Sequence, residues 1–457
     1  VRVIVCGAGQ VGTSIARQLA LEGHSVTIID QSEALSQRMS DTLDVRAVTG
    51  FASHPSVMEQ AGMRDADMVI AVTVSDEVNM VICEIANAIF NVPFKIARIR
   101  NQHYLEPEYR DLFQRDHIPI DVIISPEIEV AHAIEHRLHV PGAVDLALLG
   151  KGKVAVVALR SGAYCPTLGR SVTDINEVIR PHSAAIVGLV RGDHFLIPKP
   201  QDRLQSGDEL YIAGETLQIK KALSVFGFEE NEARRVIIIG GGNIGLLLAQ
   251  HLEKDSFNRV KVIESDRDRA ECVAEALRSS IVLHGSGLDR DVLVESNIAA
   301  VETVIAVTND DRVNIIASLL AKRYGCKRTI TLVNDISYIP LINTLGIDVV
   351  VSPRETTISS VLQHIRRGKI RSAHTLHNGE AEVMEAEVIV NSPLIGKKVQ
   401  ELSLPVDVAL GCIVRGERVF IPDPETEILC HDHLVLLTLA SMVKKVEKIF
   451  TSQTDYF

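Results

Sequence analysis

Tryptophan is absent from the 457 residues, and all aromatic residues together make up only 4%. Large aromatic anchors therefore cannot carry the cores. That task falls to Val, Ile, Leu and Ala, as is usual where parallel sheets are covered on both faces. The seven cysteines, Cys6, Cys83, Cys165, Cys272, Cys326, Cys412 and Cys430, include no C-x-x-C pair and are odd in number. Their scatter argues against a disulfide framework or a structural zinc site and predicts a reducing cytoplasm. No apolar run approaches the roughly 18 residues of a spanning helix, so no direct membrane insertion is expected. The chain opens on a strand pattern, which predicts no signal peptide. Positive charge is also in deficit, with a formal net charge of −12. That argues against nucleic-acid binding, which needs a basic surface to displace counterions. It also disfavours docking on anionic lipid, but it leaves docking on a membrane protein open.

What is present is a repeat. The stretch "VIVCGAGQVGTSIARQLALEGHSVTIID" at 3–30 returns as "VIIIGGGNIGLLLAQHLEKDSFNRVKVIE" at 236–264. "AVTVSDEVNM" at 71–80 returns as "AVTNDDRVNI" at 306–315, and "ISPEIEV" at 124–130 as "VSPRETT" at 351–357. The segments that follow also match. "VRGDHFLIPKP" from Val190 and "VRGERVFIPDP" from Val414 each contain a two-residue turn (Gly192-Asp193, Gly416-Glu417), a short apolar strand and a Pro-x-Pro. Related Pro-containing segments precede them at Pro166 and Pro393. Short strands with such punctuation predict small strand-rich domains. The large units alternate strand and helix instead, beginning with strand Val3–Cys6, a helix from Gly12 to about Glu22, and strands at Val26–Ile29 and Val69–Val72. This predicts an α/β chain of two Rossmann-like, doubly wound parallel-sheet domains alternating with two small α+β domains. The expected boundaries are 1–140, 141–230, 231–369 and 370–457, with joining helices at 127–139 and 355–368.

Each large unit carries a G-x-G-x-x-G in the strand–turn–helix context that a dinucleotide fingerprint requires. The first run is Gly7, Ala8, Gly9, Gln10, Val11 and Gly12, ending on Asp30; the second is Gly240, Gly241, Gly242, Asn243, Ile244 and Gly245, ending on Glu264. The first glycine makes the tight turn, the second admits phosphate to the backbone, and the third packs helix against strand. The pyrophosphate sits at the helix N-terminus. Asp30 and Glu264 are expected to hold an adenosine ribose, which favours NAD over NADP, although Arg267 beside Glu264 weakens that preference. Thr73-Val74 and Thr308-Asn309 are expected to line the ligand, and Asp76 and Asp310 to cap the helices that follow. "FKIARIR" places Arg98 and Arg100 on one face of the fifth strand by alternation, where Leu332 and Asn334 align in the second unit. The first pocket is thus expected to favour ATP or ADP more strongly than the second.

His132, His136 and His139 fall at helical spacing, but Gln363 replaces His136 in the repeat and no paired cysteine or carboxylate is evident nearby. A solvated or interface face is expected there, and no metal site. No His–Asp or Lys constellation marks a catalytic centre, so no catalytic residues and no enzyme are expected. The alternatives are an NAD-dependent oxidoreductase, which needs a proton donor and substrate clamp, and a DNA-acting redox sensor, which needs a basic patch or a helix-turn-helix.

On GAGQVG with Asp30, AVTVSDEVN, ARIR, SPE, GGGNIG with Glu264, and AVTNDDRVN, the whole chain resembles the tandem regulators of potassium conductance. The resemblance implies a peripheral cytoplasmic regulatory subunit on a Trk-type potassium-translocating membrane protein at the inner face of the cell membrane. It further implies a homo-oligomeric ring, expected to be a tetramer, that responds to NAD or NADH and to ATP or ADP.

Overall fold

The computed structural model describes residues 1–114, 116–140, 142–192, 194–228, 233–365 and 370–450. Asp193 of the first predicted turn, residues 366–368 of the second joining helix and the side chain of Gln363 lie outside the described residues. So do residues beside the three expected domain boundaries. Contacts divide the chain into two compact units, 1–129 with 353–365, and 130–352 with 366–457.

The first unit begins β1 (Arg2–Cys6), α1 (Gln10–Leu21), β2 (Ser25–Asp30), α2 (Glu33–Thr42), β3 (Arg46–Thr49) and α3 (Pro55–Gln60). It continues with β4 (Met68–Ala71), α4 (Asp76–Ala88), β5 (Phe94–Arg98), β6 (Val122–Ile124) and the start of α5 (Pro126–His139). All six strands are parallel, in the order β3-β2-β1-β4-β5-β6. The strand order reverses beside β1, and ligands of such sheets sit at the strand C-termini there. Almost continuously buried strands, such as Met68–Ala71, explain why aliphatic residues suffice.

The second unit contains both small domains and the other Rossmann sheet. The first small domain runs β7 (Ala143–Leu149), β8 (Val154–Arg160), α6 (Val172–Ile179), β9 (Ala184–Arg191), β10 (His194–Leu196), β11 (Glu209–Glu215) and α7 (Ile219–Ser224). The Rossmann elements follow as β12 (Arg235–Ile239), α8 (Asn243–Leu252), β13 (Arg259–Glu264), α9 (Arg267–Ala276), β14 (Ile281–His284) and α10 (Arg290–Glu295). Next come β15 (Thr303–Ala306), α11 (Asp311–Arg323), β16 (Arg328–Leu332), α12 (Ile339–Leu345), β17 (Val349–Val351) and α13 (Pro353–Ile365), the last belonging to the first unit. The other small domain is β18 (Ile370–Leu376), β19 (Ala381–Glu387), β20 (Val408–Arg415), β21 (Arg418–Phe420), β22 (His433–Leu439) and α14 (Val443–Phe450). The second parallel sheet repeats the first, in the order β14-β13-β12-β15-β16-β17, and the small domains hold five-stranded sheets with antiparallel pairing. These two sheets share one apolar layer, in which Val156, Val187 and Tyr211 meet Val383, Cys412 and Leu437.

The joining helices do not cover the sheets that precede them in the chain. Val361 and Leu362 of α13 join Ile15 and Leu19 of α1 in the first unit's core. Val130, Ala131, Ile134 and Leu138 of α5 join Leu248 and Leu252 of α8 in the second unit's core. Each helix of the duplicated pair thus buries its apolar face against the other repeat's Rossmann helix.

Candidate functional site

At both fingerprints the first glycine turns the chain with positive φ, 109° at Gly7 and 106° at Gly240, where a side chain would be strained. A Cβ on Gly12 would meet the Gly7 carbonyl oxygen at 1.8 Å, and one on Gly245 would meet that of Gly240 at 1.9 Å. The third glycine therefore lets the first helical turn close over the loop's own backbone. Gly9 and Gly242 differ: a Cβ on either meets nothing within 4 Å. They are the N-caps of α1 and α8, no side chain caps either helix, and neither first turn carries an acid. Gln10, Val11, Asn243 and Ile244 form those first turns, so their amides face unblocked space at the positive end of a helix dipole.

The acids anchor the loops. Asp30 Oδ2 accepts from the Ala8 amide at 2.7 Å and Oδ1 from the Ser32 amide at 2.8 Å. Glu264 repeats this with Gly241 at 2.7 Å and Asp266 at 2.9 Å. A carboxylate offers about four lone-pair directions, so each retains acceptor capacity. At the second fingerprint, Gly242, Glu264, Thr308 and Asn309 line a cleft of about 460 Å³ together with Arg269 and Ser286. Arg269 donates to the Gly241 carbonyl at 2.7 Å. Sequence reading missed it and singled out Arg267, which instead pairs with Glu271 along its own helix at 3.1 Å. The i, i+4 spacing of Arg267 and Glu271 was the available signal.

Behind the glycine loops, one asparagine in each repeat ties two strand ends together. Asn79 accepts from the Thr73 amide at 2.9 Å and donates to the Arg98 carbonyl at 2.9 Å. Asn314 accepts from the Thr308 amide at 2.8 Å and donates to the Leu332 carbonyl at 3.1 Å. Both are fully buried, and the shared "VN" in the repeats was the signal for them. The matching bonds put Arg98 and Leu332 at equivalent positions. Val74 is 89% exposed, whereas Asn309 lines its cleft.

Three expectations require correction. Arg98 and Arg100 do not share a strand face, because β5 ends at Arg98. Arg98 turns back to donate to the Thr73 carbonyl at 2.6 Å, while Arg100 pairs with Glu127 at 3.0 Å. Asp76 does not cap α4: Ser75 does, accepting from the Val78 amide at 3.3 Å. Buried Asp76 instead receives the Arg100 and Asn101 amides, at 2.9 and 2.8 Å, and so fixes the turn after β5. Asp310 does cap α11, accepting from the Arg312 amide at 2.9 Å, and the Arg312 side chain holds its carboxyl down at about 2. Third, α5 and the described part of the second joining helix, α13, are not simple links from a large domain to the small domain that follows, for the packing reason given above.

The first site holds buried atoms without partners among the described residues: Arg98 Nε, Asp76 Oδ1 and Glu127 Oε2. Burial first, and then neighbouring Arg100, pull the Arg98 pKa down from its ordinary value. A guanidinium so placed still carries its charge, and its Nε has no hydrogen-bond partner among the described residues.

The comparisons match the alternation of the domains. The TrkA-N domain model matches residues 3–126 and 236–353, and the TrkA-C domain model matches 156–227 and 383–451. A Trk system potassium uptake protein TrkA from Azorhizobium caulinodans is 45% identical over 457 residues, covering 100% of both chains. The TrkA of Halomonas elongata is 36% identical over 460 residues, again covering 100% of both. Among solved structures, the GsuK RCK domain aligns with a TM-score of 0.59 at 19% identity, covering 98% of this chain and 94% of that one. A GsuK channel bound to NAD aligns with a TM-score of 0.58 at 18% identity, covering 98% and 78%; both likenesses speak to fold. With both domain types matched twice and in alternation, and with full-length relatives at this identity, the chain belongs to the TrkA family of Trk system potassium uptake proteins.

Proposed function

We propose that this chain is a nucleotide-responsive regulatory subunit that gates a Trk-type potassium-translocating membrane protein. As a potassium-uptake family member it is a transport component and not an enzyme. The observation that carries the nucleotide reading is the twice-built cradle: an uncapped helix N-terminus, a second glycine facing open space, and an acid anchoring the loop. That geometry suits a pyrophosphate at the amides and a ribose at the acid, so NAD or NADH and ATP or ADP are the proposed ligands. The named glycines, first-turn residues, acids and strand-end residues are the proposed contacts.

Function divides as the repeat does, into Rossmann domains that sense ligand (1–140, 231–369) and small domains that transmit the response (141–230, 370–457). No described helix is long and apolar enough to cross a membrane, and the proposed contact with the membrane is through the partner protein. A closed homo-oligomer, most simply a tetrameric ring, lets ligand-induced shape changes act on a pore. Regulation requires the nucleotides to bind two shapes of the ring with different affinities. The test is co-purification with the membrane partner, potassium flux into vesicles with and without each nucleotide, and light scattering of the isolated chain. Equal flux under all nucleotide conditions, or a mass equal to the 50.0 kDa monomer, would overturn the reading.

A further inference from the structure

The three histidines at helical spacing on α5 do not come together as a cluster. His132 and Glu135, one turn apart, meet His251 of α8, which the chain supplies from 116 residues beyond Glu135. Glu135 Oε2 lies 3.1 Å from His251 Nδ1. The rings of His132 and His251 stack with centroids 5.1 Å apart and planes 26° from parallel. One ligand atom from each of the three residues lies within 4.8 Å of the others. His136 and His139 are not part of this cluster.

The scaffold under the trio is rigid. Val130, Ala131, Ile134 and Leu138 of α5 are buried against Leu248 and Leu252 of α8, which fixes the turns from which all three polar side chains rise. Glu135 and His251 are half-buried, and His132 sits at the open rim. Partial desolvation, and then the neighbouring His251, lower the His132 pKa; Glu135 opposes and Lys254 adds to the lowering.

We propose that His132, Glu135 and His251 bind a divalent transition-metal ion that clips α5 to α8. Two imidazole nitrogens and one carboxylate oxygen form the donor set of a three-ligand zinc site, with water completing a tetrahedron. Hard cations such as Mg²⁺ prefer an all-oxygen shell and fit poorly. Bound metal turns the single Glu135–His251 contact between the two helices into a three-point tie. It therefore strengthens the seating of α5 on the second Rossmann sheet, and it needs no nucleotide to do so.

The experiment uses the full chain, stripped of metal with chelator and titrated with Co²⁺ as a spectroscopic probe and with Zn²⁺ by calorimetry. We expect one equivalent per chain, the visible absorption of tetrahedral Co²⁺, and a melting temperature that rises with Zn²⁺ concentration. His132→Ala and His251→Ala should each weaken binding by about 100-fold or more, since even outer-shell losses cost about 10–100-fold. Glu135→Gln, which keeps the side-chain volume, should also bind more weakly, and His251→Gln serves if the alanine variant does not fold. His136→Ala and His139→Ala should leave binding unchanged. No saturable binding by the wild-type chain would overturn the proposal. So would a site that survives loss of His251 but not of His136, which is chelation along one helix.

Discussion

The two fingerprints are nearly superposable in their backbone bonds, yet they differ in the charges placed at the ends of their fourth to sixth strands. In the first, Arg98 covers the Thr73 carbonyl, Arg100 pairs with Glu127, and Asp76 receives two amides from the turn after β5. In the second, Asp311 receives the corresponding Asn334 and Asp335 amides, at 3.0 and 2.9 Å, but Leu332 and Asn334 replace the arginines. The repeat "SPE" against "SPR" adds a further exchange. Arg354 stands where Glu127 would, and its Nε donates to Ser14 Oγ of α1 at 2.8 Å. Duplication thus kept the parts that shape the backbone and varied the parts that set charge. The first site holds a spare cationic donor, Arg98 Nε, and a second cation already answered by a carboxylate. Strand-end charge in the second site is lower, and its cation near the glycine loop is Arg269, which comes from α9.

The comparison is broken most severely at the third glycine. Gly12→Ala forces a Cβ onto the Gly7 carbonyl, and Gly245→Ala onto that of Gly240. Overpacking of this kind costs about 1–3 kcal/mol and displaces the loop that forms the cradle. Each variant should lose nucleotide binding at its own site while the other site still titrates by calorimetry. Loss at both sites from one substitution would mean that the sites are not separate.

The acids come next. Asp30→Ala and Glu264→Ala each remove a carboxylate that anchors the loop and that we propose holds a ribose. About 1.5–3 kcal/mol of charge-assisted bonding is lost, or roughly tenfold to a hundredfold in affinity at that site. Titration of the full-length variants with NADH and with ATP measures it; unchanged affinity for both ligands refutes the assignment. The full chain is required because α5 and α13 each pack on the other repeat's Rossmann helix, so chains cut near residue 230 would lose these contacts.

The charge difference can be sharpened at the arginines. Arg98→Ala should lower ATP affinity more than NADH affinity at the first site, by several-fold, since ATP carries the greater negative charge. Arg100→Ala should do less, because Glu127 already answers its charge. Glu127→Gln should raise ATP affinity by freeing Arg100. An equal response of ATP and NADH to Arg98→Ala would remove the electrostatic account.

The smallest effect lies in the second small domain. Desolvation holds the His374 ring below its ordinary value of 6.5, with Asp145 opposing and Arg137 reinforcing the shift. A base with a depressed folded pKa contributes stability above its unfolded pKa, and that stability is lost as pH falls below it. Melting temperature should therefore begin to fall below about pH 6.5, and His374→Gln should flatten the slope there. A slope unchanged by that substitution would assign the pH dependence to other groups.

Several features were legible because they are local. Glycine, acid and strand follow one another within thirty residues, and sheet order follows from strand–helix alternation with right-handed crossovers. Arg98 and Arg100 misled because alternation holds only while the strand lasts, and the strand stops at Arg98. Asp76 misled because a carboxylate at a helix start can cap its own helix or bind another segment, and the neighbouring Ser75 already caps. The repeated "VN" marks the asparagines at 79 and 314 as shared, but their bonds to the Arg98 and Leu332 carbonyls, like that of Arg269 to the Gly241 carbonyl, join segments whose meeting no local pattern announces.

The sequence by itself determined the duplication, the α/β class, the two cradles and the absence of any long apolar span, since each is written in periodicity, spacing or composition. Tertiary structure alone decided which sheet each joining helix covers, because an amphipathic face specifies that it must be buried but not against what. It also decided which charges near the cradles are already paired, and that His251 meets His132 and Glu135. Those are encounters between residues far apart in the chain, set by how the second repeat packs its helices and not by any pattern within one of them.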